Sequence, residues 1–246
     1  MADIHFDLQK SADAFVFELG KKGINTAPIM RVAGAIDISG SMDDELRDGS
    51  VQKVMDQLGG ITIVFDDNGE IDMWKFDDRS DYIGTWKPSD YRTYIKANRI
   101  SSRGGTAYSP FINDITDFMF KSKTKTVASV VKGFFGSKTV TQTVDDGVEN
   151  NDPVLALIVT DGEPNSERIE RIREALTRAS SHPIFFAFVG LSNQHTSFPT
   201  LEALNREYKN VGFIKMKFGA KDEDLYEQII TDKLVGFLKQ FSPATV

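Results

Sequence analysis

The sequence predicts an α/β domain with a doubly wound, mostly parallel central sheet flanked by helices and one antiparallel edge strand. Three observations lead there. Two runs, 31–37 and 154–160, consist almost entirely of small, β-branched or aliphatic residues, as parallel strands buried on both faces require. Strand-like segments alternate with segments of 3.6-residue periodicity, the pattern of successive β-α-β units. A chain of 246 residues is also long enough for one large domain around a shared core.

The elements follow in order. Residues 4–8 alternate apolar and polar and read as a short lead-in strand. From Ser11, placed as an N-cap, Ala12, Phe15, Val16 and Leu19 fall at helical spacing until Gly20 and Gly23. The run Arg31-Val32-Ala33-Gly34-Ala35-Ile36-Asp37 is the expected central strand. A helix from Asp43 to Leu58 carries acidic residues in its first turn and the stripe Val51, Val54, Met55 and Leu58, and Gly59 and Gly60 interrupt it. Ile61 to Phe65 fits either a strand or the end of that helix, and Asp66-Asp67-Asn68-Gly69 is a turn. A strand over 70–76, an antiparallel edge strand over 82–86, a helix from Ser89 to Asn98 and a helix from Pro110 to Phe120 come next. After the strand over 154–160, Pro164 and the stripe Ile169, Ile172, Leu176 and Ala179 make a helix. A strand over 184–189, a short helix over 201–207, a strand over 211–216 and a closing helix over 222–239 complete the chain. The expected organisation is a lead-in strand and helix over 1–30 and one domain over 31–246 with an insertion at 121–152. Within that insertion Val127, Val130, Val131, Phe134 and Phe135 recur at helical spacing beside several lysines, which reads either as a stripe packing on the domain's own sheet or a mobile loop, or as a helix docking a partner or a membrane surface.

Composition narrows the function. No apolar run approaches the ~20 residues that span a bilayer. The start, Met1 to Asp7, lacks a basic and then apolar leader, so a cytoplasmic location is expected. The absence of cysteine excludes disulfides, thiolate metal sites and cysteine nucleophiles. A net charge of −7 argues against nucleic-acid binding, and a membrane surface is not an expected partner. The three histidines, His5, His182 and His195, have no ligand spacing, which disfavours zinc catalysis.

Chemistry-bearing residues cluster where strands meet loops: Asp37-Ile38-Ser39-Gly40-Ser41, Gly104-Gly105-Thr106 and Thr160-Asp161-Gly162. Their carboxylates and hydroxyls form a hard oxygen set suited to Mg²⁺ or Mn²⁺ ahead of Ca²⁺. Asp43, Asp44 and Glu45 could add a second cation site, although acidic residues commonly open a helix. A phosphatase of the haloacid-dehalogenase kind, with Asp37 as nucleophile, is the alternative reading; it needs an acid two residues on, where Ser39 stands. No phosphate-cradling G-x-x-x-x-G-K-[ST] loop occurs.

The Asp-x-Ser-x-Ser motif, the distal Thr106 and the Thr-Asp-Gly strand end, in that order, resemble the metal-ion-dependent adhesion site of von Willebrand factor A (vWA) domains. Residues 31–42, 65–72, 104–106 and the carboxy-terminal half further resemble the tellurium-resistance, TerF-like branch. The resemblance implies that Ser39, Ser41 and Thr106 are direct or switchable metal ligands, that Asp37 and Asp161 act largely through waters, and that residues 61–65 finish a helix. It implies a Mg²⁺-dependent protein-binding module without catalytic residues, whose partner supplies a carboxylate to the metal, acting in stress response or phage defence.

Overall fold

The computed structural model describes residues 2–66, 69–120, 124–133, 136–145, 151–192, 196–217 and 219–242, with backbone alone over 2–6, 124–133 and 136–145. In chain order the elements are α1 (Ala2–Lys21), β1 (Arg31–Asp37), α2 (Asp43–Asp48), α3 (Ser50–Phe65), β2 (Ile71–Phe76), β3 (Ser80–Trp86), α4 (Tyr94–Ala97) and α5 (Ser109–Phe120). They continue with β4 (Thr124–Gly133), β5 (Gly136–Asp145), β6 (Val154–Thr160), α6 (Ile169–Ala179), β7 (Ile184–Ser192), α7 (Pro199–Glu207), β8 (Val211–Lys217), α8 (Asp222–Ile229) and α9 (Asp232–Leu238).

The main sheet has the order β3-β2-β1-β6-β7-β8. Every neighbouring pair is parallel except β2 with β3, the antiparallel edge. The expected sheet class and the central place of β1 are therefore observed. Strand period divides the core in two. Val32, Ile36, Leu155, Leu157, Val159 and Phe185 face α1, α3, α8 and α9, whereas Ala33, Ala35, Ala156, Ile158, Phe186 and Phe188 face α5, α6 and α7. Because both faces are covered, β1, β6 and β7 are buried along nearly their whole length.

Several expectations are corrected. Residues 4–8 form no lead-in strand and Ser11 is no N-cap: both lie within α1, whose buried Leu8, Ala12, Phe15 and Leu19 keep one helical stripe facing α3 and α8. The helix after β1 breaks at Gly49, whose φ of 87° is left-handed, and continues through Gly59 and Gly60. Those two glycines are contact points rather than breaks. A Cβ on Gly59 would stand 2.5 Å from the Trp86 ring, and one on Gly60 would stand 2.6 Å from the Tyr226 hydroxyl. Residues 61–65 are the end of α3. The helix expected over 89–98 is a 3-10 turn at Pro88–Asp90 followed by α4, with Arg92 at φ 63° and Arg99 at φ 50° bounding the short helix. The closing helix divides at Ile230 and Thr231 into α8 and α9.

The described residues of the insertion are likewise not helical. β4 and β5 pair antiparallel as a separate two-stranded sheet, from Thr124 opposite Asp145 to Gly133 opposite Gly136. β-branched threonine and valine make up half of each strand, and their stiff side chains favour extended backbone. Phe134 and Phe135 of the expected stripe lie outside the described residues.

Candidate metal centre

Strand order reverses between β1 and β6, because β1 leads to β2 on one side while β6 leads to β7 on the other. Doubly wound sheets take ligands beyond the carboxyl ends of their strands at such a point. Asp37 is the last residue of β1, and Asp161 follows the last residue of β6. Alternation along β1 places Asp37 on the same face as Ala33 and Ala35, and alternation along β6 places Thr160 with Ala156 and Ile158. The two side chains meet, and the Thr160 hydroxyl donates to Asp37 Oδ2 at 2.6 Å. The Ser39 backbone N–H donates to Asp37 Oδ1 at 2.8 Å. Asp37 is fully buried, and desolvation pushes its carboxyl up to about 7 against the pull of those hydrogen bonds, with the Asp161 charge adding to the rise.

Beyond Asp37 the chain turns through a 3-10 segment, Gly40–Met42, pinned by Ile38 N–H to Phe76 O at 2.8 Å and Gly40 N–H to Gly104 O at 3.1 Å. This turn brings Ser39 Oγ and Ser41 Oγ to 3.2 Å, and Ser41 Oγ donates to Asp161 Oδ1 at 2.8 Å. Burial also raises the Asp161 carboxyl, offset by the Ser41 hydroxyl. Thr106 is buried, and its carbonyl accepts the backbone N–H groups of Asn165 and Ser166, each at 3.1 Å. The three predicted segments thus converge. Asp37, Ser39, Ser41 and Asp161 form one hydrogen-bonded chain, Thr160 bonds to its Asp37 end, and the Thr106 loop is joined to it through the Gly40–Gly104 backbone bond.

Two residues of the centre were not singled out from sequence. Thr160 stands in the quoted Thr-Asp-Gly motif, where its hydroxyl was available as a signal. Tyr108 carried none, since an aromatic residue two positions past Thr106 reads as core; its hydroxyl donates to Gly162 O at 2.6 Å and steadies the Asp161 turn. Of the acidic residues in the first turn of α2, Asp43 accepts from Ser102 Oγ at 2.6 Å and pairs with Arg47 at 2.9 Å, and Asp44 pairs with Arg47 at 2.6 Å. Glu45 differs: its Oε2 is buried without a hydrogen-bond partner, and desolvation first, then the Asp161 charge, raises its carboxyl. Among the described residues no group of three or more His, Asp or Glu side chains is arranged to hold a metal ion, so any cation here relies on hydroxyls as well as carboxylates.

A mixed six-stranded sheet with this oxygen cluster at its switch point is the architecture of a vWA domain. Solved structures share the fold. A von Willebrand factor type A protein from Catenulispora acidiphila aligns with a TM-score of 0.51 and 14% identity over 88% of this chain and 43% of its own. Proximal thread matrix protein 1 from the mussel byssus aligns with a TM-score of 0.53 and 12% identity over 85% of this chain and 48% of its own. This chain therefore spans less than half the length of either. The family described as "vWA found in TerF C terminus" (vWA-TerF-like) matches residues 29–244, and the chain belongs to it. It is also similar to the uncharacterized protein YcbR of Bacillus subtilis (strain 168), with 25% identity over 235 residues, 92% of this chain and 84% of that one.

Proposed function

We propose that this vWA domain is a divalent-cation-dependent protein-binding module, taking Mg²⁺ or Mn²⁺ at Asp37, Ser39, Ser41, Thr106 and Asp161 and recognising a carboxylate on a partner protein. The observation that carries the reading is oxygen spacing. Ligands at ~2.1 Å around an octahedral cation lie about 3 Å from their neighbours, and the Ser39–Ser41 and Ser41–Asp161 oxygen separations are 3.2 and 2.8 Å. Charge supports it too, since the buried Asp37 carboxyl and the half-buried Asp161 carboxyl are near enough for one charge to raise the other, and both are met by neutral hydrogen-bond donors from Thr160, Ser39 and Ser41.

A bound cation supplies an electrophilic position that an acidic partner side chain can complete. The chain's own residues set that character. Ser39 and Ser41 offer neutral oxygens, which leave positive charge on the cation for the partner. Asp37, enclosed by the strand ends and held by Thr160, keeps its place by hydrogen bonds rather than by access to solvent. This enclosure weighs against Asp37 as a phosphatase nucleophile, which must reach its substrate. We place the module in the cytoplasm and in a tellurium-resistance-type stress response or phage defence. No helix among the described residues is long and apolar enough to cross a membrane.

Thermal unfolding with and without Mg²⁺ or Mn²⁺ tests the reading. A cation at 100 times its Kd stabilises the folded state by ~2.7 kcal/mol, and Asp161→Ala should abolish most of the shift. Equal shifts in the two proteins would place the metal elsewhere. A partner pull-down in Mg²⁺ should fail with Asp37→Ala. Release of phosphate from generic phosphoesters, lost in Asp37→Asn, would replace the binder with an enzyme.

A further inference from the structure

The loop that carries Thr106 is gripped from two sides by residues that contribute no oxygen to the proposed cation. On one side stands the β2–β3 turn. Arg103 Nε donates to Asp77 Oδ2 at 2.5 Å and its Nη2 to Asp81 Oδ2 at 2.7 Å, while Ala107 N–H donates to Asp77 O at 2.9 Å. The Asp77 side chain is only 3% exposed, so this ion pair closes over a buried carboxylate. Asp78 accepts the Gly105 N–H at 3.2 Å and a hydrogen bond from Ser166. On the other side, Asn165 Oδ1 accepts the Thr106 N–H at 2.9 Å, and Glu167 accepts the backbone N–H groups of Tyr108 and Ser109.

The grip leaves no slack. A Cβ on Gly105 would collide with Ser166 Oγ and stand 2.7 Å from Asn165 Oδ1, and one on Gly104, at φ 69°, would stand 2.8 Å from Asp78 Oδ2. Glycine at both positions is what lets the loop backbone approach its two walls this closely. Ordering a loop before binding removes that entropy cost from the binding step.

We propose that Arg103, Asp77 and Asn165 are positioning residues forming a two-sided latch that fixes Thr106 against the Ser39–Ser41 turn and so sets the cation affinity of the centre. The inference rests on the cation reading above. It assigns to an ion pair at the exposed edge of the sheet a function in the metal centre, through the Arg103 backbone, whose N–H also donates to Ile38 O at 2.6 Å.

Arg103→Met alone would strip buried Asp77 of its charge partner and lower stability whatever the loop does. The decisive variant therefore joins Arg103→Met with Asp77→Asn, which removes both charges and keeps an amide oxygen for the Arg79 N–H that Asp77 Oδ1 accepts at 2.8 Å. Asn165→Ala, which removes no charge, is measured in parallel and decides alone if the double variant fails to fold. Isothermal titration with Mn²⁺ reads the affinity, and metal-free melting temperature reads the fold. The expected result is a rise in Mn²⁺ Kd of ~10-fold or more in each variant, the usual effect of losing a residue that orients metal ligands, with metal-free melting within a few degrees of wild type. Wild-type uptake of Mn²⁺ with an unchanged Kd in the variants overturns the latch and leaves the cation reading standing. No uptake by the wild type overturns both.

Discussion

Asp56→Asn should stabilise the protein, and the gain should depend on pH. Asp56 is 8% exposed on α3 and accepts hydrogen bonds at a single oxygen, Oδ1, from Gln52 Nε2 at 2.8 Å and the Arg92 N–H at 2.9 Å. Desolvation raises its carboxyl from 3.8 to about 6, with those two bonds and the Arg92 charge opposing the rise. A folded-state pKa above the unfolded value means that ionisation opposes folding. The penalty is absent below 3.8, grows as pH rises, and is complete above about 6. A shift of roughly two units corresponds to ~3 kcal/mol. The carboxyl borders a crevice of about 370 Å³ that also holds Lys53 and Arg92, so screening reduces the penalty to ~1–2 kcal/mol. Asparagine retains an Oδ1 for both donors and carries no charge. Urea denaturation at pH 5 and pH 8 should show the variant more stable by ~1–2 kcal/mol at pH 8 and by about half as much at pH 5. A variant less stable than wild type at pH 8, or a gain equal at both pH values, would refute the burial argument.

Three further outcomes follow from packing and hydrogen bonding. Lys233→Met should cost ~2 kcal/mol, or about 4–8 °C in melting temperature, because the ammonium donates to the carbonyls of Asn205, Tyr208 and Val211 around the end of α7; a scanning melt that is unchanged would deny that role. Gly59→Ala should destabilise by ~1–3 kcal/mol through collision with Trp86, despite alanine's better helix propensity; a higher melting temperature would show that the ring can yield. Tyr108→Phe should cost ~1–2 kcal/mol by removing the donor to Gly162 O, and should reduce the Mg²⁺-induced melting shift; an intact shift would detach Tyr108 from the Asp161 turn.

The sheet and the switch point were legible in the chain because their signals are local. β1 and β6 are buried on both faces, so their residues are apolar at consecutive positions, and each run stops at an acidic residue beside a turn. Asp37 and Asp161 could be placed at strand ends on that basis alone, with Ser39 and Ser41 in the following turn. Short segments were less readable, since a few apolar residues can satisfy two periods at once. Residues 4–8 alternate yet lie in α1, and the helical spacing of Val127, Val130 and Val131 falls on β4. The β-branched character of that segment was the better guide.

What the sequence by itself determined was therefore the doubly wound class, the central strand and the oxygen-bearing residues at the strand ends, because hydrophobic period and turn chemistry are written within a few consecutive residues. Tertiary structure alone decided how α3 accommodates Gly59 and Gly60, through Trp86 and Tyr226 from elsewhere in the chain. It alone decided the perturbation of Asp37, which comes from enclosure by neighbouring strands, and the two-sided grip of Asp77 and Asn165 on the Thr106 loop. These features arise from contacts between segments far apart in sequence, and such contacts impose no periodicity on the residues that make them.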